Sequence, residues 1–265
     1  MASVINTNIA SLNTQRSLSA SQNSLHTSLA RLSSGLRVNS SKDDAAGLAI
    51  ATRMDGQIRG QSVAIRNAND ALSYAQTAEG AIGKVTDALQ RMRELAVQSI
   101  NGSNSTSDRA NLDAEFQQLV SEVTRLGAQK FNNVAIFGTA STFQIGADAG
   151  DTIAVAAITA TTIAGGVTTA ALATTALGDI DTALDAANTS RASLGAVQNR
   201  FESVISFLQT SVENVSAAKS RIMDADFAAE TANMTRGQIL QQAGTAMLAQ
   251  ANTLPNGVLA LLRTN

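Results

Sequence analysis

The sequence predicts a mainly α fold, with long antiparallel helices, coiled-coil seams formed by the N- and C-terminal segments, and a small β-hairpin element in the middle of the chain. Three observations carry this. Apolar residues recur at helical spacing along most of the 265 residues, most regularly at the C-terminal end. Aromatic residues are only 3% of the chain, with no Trp and one Tyr, so a core must be built from Leu, Ile, Val and Ala, which suits thin helix-on-helix seams better than a deep globule. Strand-like runs are short and central, at Thr142–Ile145 and Thr152–Ile158, separated by the turn-rich GADAGD.

The first helix is read from Ile5, Ile9, Leu12, Leu18, Leu25, Leu29 and Leu32, one narrow stripe among Asn, Ser, Thr and Gln. The run SSGLRVNSSK, with Gly35 and four serines, interrupts it and makes residues 35–42 a connector. Ser41 is placed to cap a second helix that begins at Asp43 and Asp44, acids suited to a helix start, and runs to Ile100 before Asn101-Gly102. After the polar NGSNSTSD loop, Ser107 is a candidate cap for a short amphipathic helix through Leu112, Phe116, Leu119, Val123 and Leu126. The β element covers about residues 139–158, and residues 159–175 read as an irregular Ala, Thr and Gly tract. Helical pattern returns near Leu177 and continues through Val197, Phe201, Val204 and Leu208. Finally Leu240, Gly244, Met247, Ala251, Leu254, Val258 and Leu261 alternate steps of four and three, a heptad seam. Pro255 falls inside it and predicts a kink or break.

Neither terminal helix can bury its own stripe, so the simplest solution pairs the two ends antiparallel. Pattern alone favours packing within one chain. A two-helix unit still leaves apolar flanks, which predicts disorder in the monomer or burial against neighbouring copies.

Composition excludes several functions. With no cysteine there are no disulfides, thiolate sites or zinc clusters. His26 is the one histidine and lies on a polar stretch without a nearby acid, so it reads as a solvated helix residue rather than part of a triad. Asp43-Asp44 and Asp224-Ala-Asp226 carry no metal argument, and the glycines of GADAGD lack the strand-to-helix setting of a phosphate loop. A net charge of -2 and 15% charged residues leave no nucleic-acid footprint and no polybasic membrane patch. The opening has neither the basic residues nor the apolar core of a secretory signal, so export, if it occurs, is expected to use a signal-independent route. The reading is therefore not an enzyme, with no cofactor, no nucleic acid and no membrane partner.

The opening MASVINTNIASLNTQRSL, the segment LSSGLRVNSSKDDAAGLAIATRM, the run LQRMRELAVQS and the closing DADFAAETANMTRGQILQQAGTAMLAQAN followed by VLALLR all resemble bacterial flagellin. The match covers about residues 1–147 and 177–265 in the expected order; the middle departs, with a short form lacking the large variable outer domains of many flagellins.

The resemblance implies a structural subunit that self-assembles into a hollow helical filament, the extracellular propeller of the flagellum. Residues 1–34 with 228–265 would form the inner helical layer lining the channel, and 43–227 an outer helical bundle. An assembly seam would comprise Ile5, Ile9, Leu12, Leu240, Met247, Leu254, Val258 and Leu261. Export would be type III, with a flagellar export chaperone at the C-terminal tail, and the other partners would be hook-associated junction and cap proteins. The placement of small residues in the seams, Gly47, Gly56, Gly60 and Gly244, further suggests that identical subunits could slide between close-packed states.

The resemblance also implies two immune surfaces. Gln90, Arg91, Met92, Arg93, Glu94, Leu95, Ala96 and Val97, with Glu115, resemble the segment read by Toll-like receptor 5, Met92 replacing the more usual Val. Val258, Leu259, Leu261 and Leu262 resemble the leucines read by NAIP-type receptors, or held by the chaperone. Rival readings are a hook-associated junction protein and a coiled-coil adaptor. The adaptor would be expected to carry denser flanking charges than these heptads do.

Overall fold

The computed structural model describes residues 7–159 and 163–263, with side chains to residue 253. Among the described residues the elements are α1 (Ile9–Ser34), α2 (Ala45–Ile100), α3 (Thr106–Gly127), β1 (Lys130–Phe131), β2 (Val134–Ala135), β3 (Ser141–Gln144), β4 (Thr152–Val155), α4 (Ala170–Met223) and α5 (Phe227–Arg263). The fold is mainly α, as the periodicity predicts. The chain divides into two compact units, a terminal one of Met1–Gly56 with Val215–Asn265 and a central one of Gln57–Asn214.

In the central unit α2 and α4 run antiparallel. Gln61 Nε2 donates to Ser211 Oγ (2.9 Å), Gln198 Nε2 to Glu79 Oε2 (2.8 Å) and Arg93 Nε to Asp181 Oδ1 (2.7 Å), so numbering falls on one helix as it rises on the other. One apolar cluster joins Leu89, Met92 and Leu95 of α2 to Phe116 of α3 and Ile180 of α4. A second joins Tyr74 and Ile82 of α2 to Ile136, Ile153 and Phe201. The few aromatic residues concentrate here: Tyr74 meets Phe131 edge-on at 5.8 Å, and Phe143 meets Phe201 at 6.0 Å.

The β3–β4 hairpin pairs Ser141 with Val155 and Gln144 with Thr152, and it turns Ile153 and Val155 inward while Thr152 and Ala154 stay exposed. Ile158 lies beyond the strand, in a bridge to Phe137. The hairpin β1–β2 is an element the sequence reading missed. Its turn is Asn132-Asn133, both at positive φ (47° and 64°), the conformation of a two-residue type I′ turn that Asn tolerates better than most residues. Gly60 sits where the β3–β4 loop comes close, since a Cβ there would lie 2.8 Å from that of Ala147.

Several boundaries differ from expectation for local reasons. The cap of α2 is Asp44, whose carboxylate accepts from Gly47 N (2.8 Å), not Ser41. Asp43 instead closes the preceding turn, accepting from Asn39 N and from Ser40 N and Oγ. Ser105, not Ser107, caps α3, in a reciprocal capping box with Asp108. The tract after the hairpin is less irregular than composition suggests. Its last residues, from Ala170, are already α4, and Ile163 and Val167 are buried in the core. Val167 is tied at both ends, its N–H to Asp113 Oδ1 (2.7 Å) and its carbonyl to the Ser99 hydroxyl. In α5 the helix continues through Pro255 without a break. A proline forfeits one donor, and the helix accommodates that loss.

Candidate assembly interface

The terminal unit packs α1 antiparallel to α5. Asn8 caps α1 by accepting from Ser11 N, and Gly35, at φ 72°, ends it in the left-handed conformation glycine adopts freely. The connector then hydrogen-bonds to the chain entering α5, Arg37 N to Met223 O (2.6 Å) and Ala225 N to Gly35 O (2.9 Å), and Val38 is buried. This hydrogen-bonded pairing brings the start of α5 beside the end of α1.

Contacts along the pair fall at heptad steps. Arg31 Nη1 lies 3.6 Å from Glu230 Oε1. A Cβ at Gly237 would lie 3.2 Å from that of Leu25, and one at Gly244 would lie 3.1 Å from Leu18 Cδ1. Ser11 Oγ donates to Asn252 Oδ1 (2.8 Å), and Asn8 Nδ2 to Ala251 O (2.9 Å). The facing surfaces are built from small and polar residues as much as from leucine: Ser11, Ser28 and Ala251 are buried, and leucines fill the space that glycine leaves.

The large apolar residues of the predicted seam lie elsewhere. Ile9 is 68% exposed, Leu12 53%, Leu240 48% and Met247 62%. The heptad run of α5 therefore splits. Gly237, Gly244 and Ala251 form the column that meets α1, whereas Leu240 and Met247 belong to the next column and stay uncovered. Leu29 of the N-terminal stripe is exposed as well, and Phe227 and Ile239 are further exposed apolar residues that the stripe reading did not single out. Ile5 lies outside the described residues. Leu254, Val258, Leu259, Leu261 and Leu262 fall on α5, but their side chains lie outside the described ones.

The segment at residues 90–97 lies on α2 of the central unit. Its helical turns divide it: Met92, Leu95 and Ala96 are fully buried core residues, and Gln90, Arg91, Arg93, Glu94 and Val97 are exposed. Met92, Leu95 and Ala96 thus offer almost no side-chain surface here, although the resemblance includes all three in the recognised segment. The structure does bring Glu115 of α3 to this face. Arg91 bridges Glu94 (2.8 Å) and Glu115 (2.8 Å), and the hydrogen bonds it donates to these carboxylates, that to Glu94 first, hold its guanidinium pKa above the usual value. Arg93 is directed away from that cluster to Asp181.

Among the described residues no group of acids and histidine is arranged to hold a metal ion, and no helix is long and apolar enough to cross a membrane.

Residues 5–142 match the family model of the bacterial flagellin N-terminal helical region, and residues 177–262 that of the bacterial flagellin C-terminal helical region. The chain is 45% identical over 271 residues to the protein of Halalkalibacterium halodurans named Flagellin, covering 98% of this chain and all of that one. It is 39% identical over 285 residues to Flagellin FlaB2 of Treponema pallidum, with 98% of this chain and all of that one covered. Among solved structures it resembles the crystal structure of Bacillus cereus flagellin, with a TM-score of 0.51 and 30% identity over 58% of this chain and 94% of that one.

Proposed function

The chain belongs to the bacterial flagellin family, structural filament subunits and not enzymes, and from that premise we propose that it polymerises through the exposed apolar flanks of the α1–α5 pair. In this reading residues 1–34 and 228–265 form the inner helical layer of the filament and residues 43–227 the outer one. The observation that carries it is the uncovered set Ile9, Leu12, Leu240 and Met247 beside a pair already closed by small residues. A helix pair sealed internally by Ser, Gly and Ala has its largest hydrophobic surface still to bury, and a neighbouring copy supplies the matching surface.

Seeded polymerisation tests this. Purified full-length chain with short filament seeds is expected to elongate, read by light scattering and electron microscopy. A chain lacking residues 1–34 and 228–265 is expected not to. Elongation by the truncated chain would move the essential contacts into the central unit.

The same reading includes flagellar type III export, an export chaperone on the C-terminal leucines, and hook-associated junction and cap proteins at the filament ends. It also includes recognition by Toll-like receptor 5 through Gln90, Arg91, Glu94 and Glu115, which is supported by their exposure and by the Arg91 ion pairs on one face. NAIP-type receptors would read Val258, Leu259, Leu261 and Leu262. Arg91→Ala is expected to lower a Toll-like receptor 5 reporter response to monomer at least about tenfold, the scale of losing a charged hot-spot residue. An equal response from both proteins removes Arg91 from the recognised surface.

A further inference from the structure

The Leu-against-Gly packing of the terminal pair does not by itself define how the helices align. Leu18 and Leu25 are seven residues apart, as are Gly237 and Gly244, and each leucine fills the space at one glycine. Sliding α5 by one heptad in one direction sets Leu25 against Gly244 and Leu18 against Ala251. Sliding it the other way sets Leu18 against Gly237. Each alternative retains a leucine on a glycine, so the steric code repeats and the polar contacts at the two ends of the pair must set the register.

The charged end of the seam does not repeat. Glu230 occupies the same heptad column as Gly237 and Gly244, and it is the one buried charged residue among the described residues, at 8% exposure. Its cation is Arg31, 3.6 Å away, and Asn233 Nδ2 donates to its other oxygen (3.4 Å). Among the described residues this is the one ion pair between α1 and α5. Its geometry is single-pronged, with Arg31 Nε buried and without a hydrogen-bond partner. A pair of this kind adds little net stability, but breaking it leaves a carboxylate buried without a counter-ion. In the first slipped register Glu230 would lie beyond the end of α1, and in the second it would face Leu25.

We propose that Arg31 and Glu230 are register-determining residues of the terminal helix pair, acting with the connector hydrogen bonds of Arg37 N to Met223 O and Ala225 N to Gly35 O. They select one alignment from a seam whose apolar packing accepts several. The consequence for assembly rests on the filament reading above. A one-heptad slip displaces α5 by about 10 Å along α1, which moves Leu240 and Met247 relative to Ile9 and Leu12 and so changes the apolar surface that the pair offers to a neighbouring copy.

The absence of cysteine makes the register directly readable by engineered crosslinks. In the observed alignment a Cβ at Gly244 lies 3.7 Å from that of Leu18, within disulfide range, so Leu18→Cys with Gly244→Cys reports the native register. Leu25→Cys with Gly244→Cys reports the slipped one. Both pairs are oxidised in the full-length chain, as monomer and as seeded filament, and quantified by peptide mapping, with elongation scored separately. The native crosslink is expected to dominate with Arg31 and Glu230 present. Arg31→Glu or Glu230→Arg alone is expected to shift the ratio of native to slipped crosslink at least about tenfold toward the slipped pair, and Arg31→Glu with Glu230→Arg to restore it. An unchanged ratio in the single variants, failure of the double variant to restore it, or no crosslink from either pair in either state overturns the inference. A shifted and restored ratio in a chain that never elongates upholds the register pair and sinks the filament contact.

Discussion

The two units of this chain use the same helical material in opposite ways. In the central unit most of the large side chains are inside, with Phe116, Phe201, Leu89 and Met92 fully buried. In α1 and α5 the buried positions are Ser11, Ser28, Glu230, Gly237 and Ala251, while Ile9, Leu12, Leu240 and Met247 face outward. The central unit therefore buries most of its large apolar side chains, with Phe207 an exposed exception, and has reason to be stable as a monomer. The terminal pair closes on small and polar residues but leaves much of its apolar surface uncovered, which gives it a reason to meet another copy. Burial patterns of this kind separate residues that hold the fold from residues that hold a polymer, even where both show the same three-and-four spacing.

The contrast is broken most severely from the central side. Phe201→Ala removes a fully buried ring that touches Phe143 and should destabilise the monomer by about 3–5 kcal/mol, measured by urea unfolding. Leu240→Ser with Met247→Ser should do the reverse. Monomer stability is expected to change by no more than about 0.5 kcal/mol per site, as for ordinary surface positions. The concentration needed for filament growth should rise about tenfold or more, because each side chain then loses its burial in the polymer. If the double variant instead unfolds early as a monomer, these side chains have an intramolecular role, and the division between the units fails.

Much of this was legible in the sequence because periodicity reports which residues share a helix face. The long helices, the β3–β4 hairpin and the pairing of the ends follow from it. What periodicity cannot report is which of two adjacent columns faces inward: Gly244 and Met247 sit in one heptad run, yet only the glycine lets Leu18 approach closely. Resemblance, not periodicity, put Leu95 in a recognised segment, and on the helix it falls with Met92 and Ser99 on the buried face. The β1–β2 hairpin was missed because its strands are two residues each, too short for alternation, and the signal was in the Asn132-Asn133 turn. Glu230 had a signal too, a charge in the glycine column of the seam, which becomes meaningful only once Arg31 is beside it.

The smallest expected effect compares one carboxylate from each unit. Asp43, in the connector of the terminal unit, has its pKa held below the usual 3.8 by the Ser40 hydroxyl and by the backbone N–H groups of Ser40 and Asn39. Asp108, in the capping box of α3, is lowered by the Ser105 hydroxyl and backbone. Because each folded-state pKa lies below its unfolded value, the unfolded chain binds more protons as pH drops. The stability each group contributes is thus complete above the ordinary carboxylate value and disappears as pH falls through the lowered folded one. Ser105→Ala, which also removes the α3 cap, should cost about 1 kcal/mol at neutral pH. Ser40→Ala should have a smaller effect, because it leaves the two backbone donors to Asp43 in place. Both differences from the parent chain should hold constant down to about pH 5 and narrow below the ordinary value, followed by urea unfolding at successive pH values. A gap for Ser105→Ala that is as wide at about pH 2 as at neutral pH would assign the whole effect to the hydroxyl cap. A narrowing in Ser105→Ala without one in Ser40→Ala would mean that the acid sensitivity belongs to the self-contained unit alone.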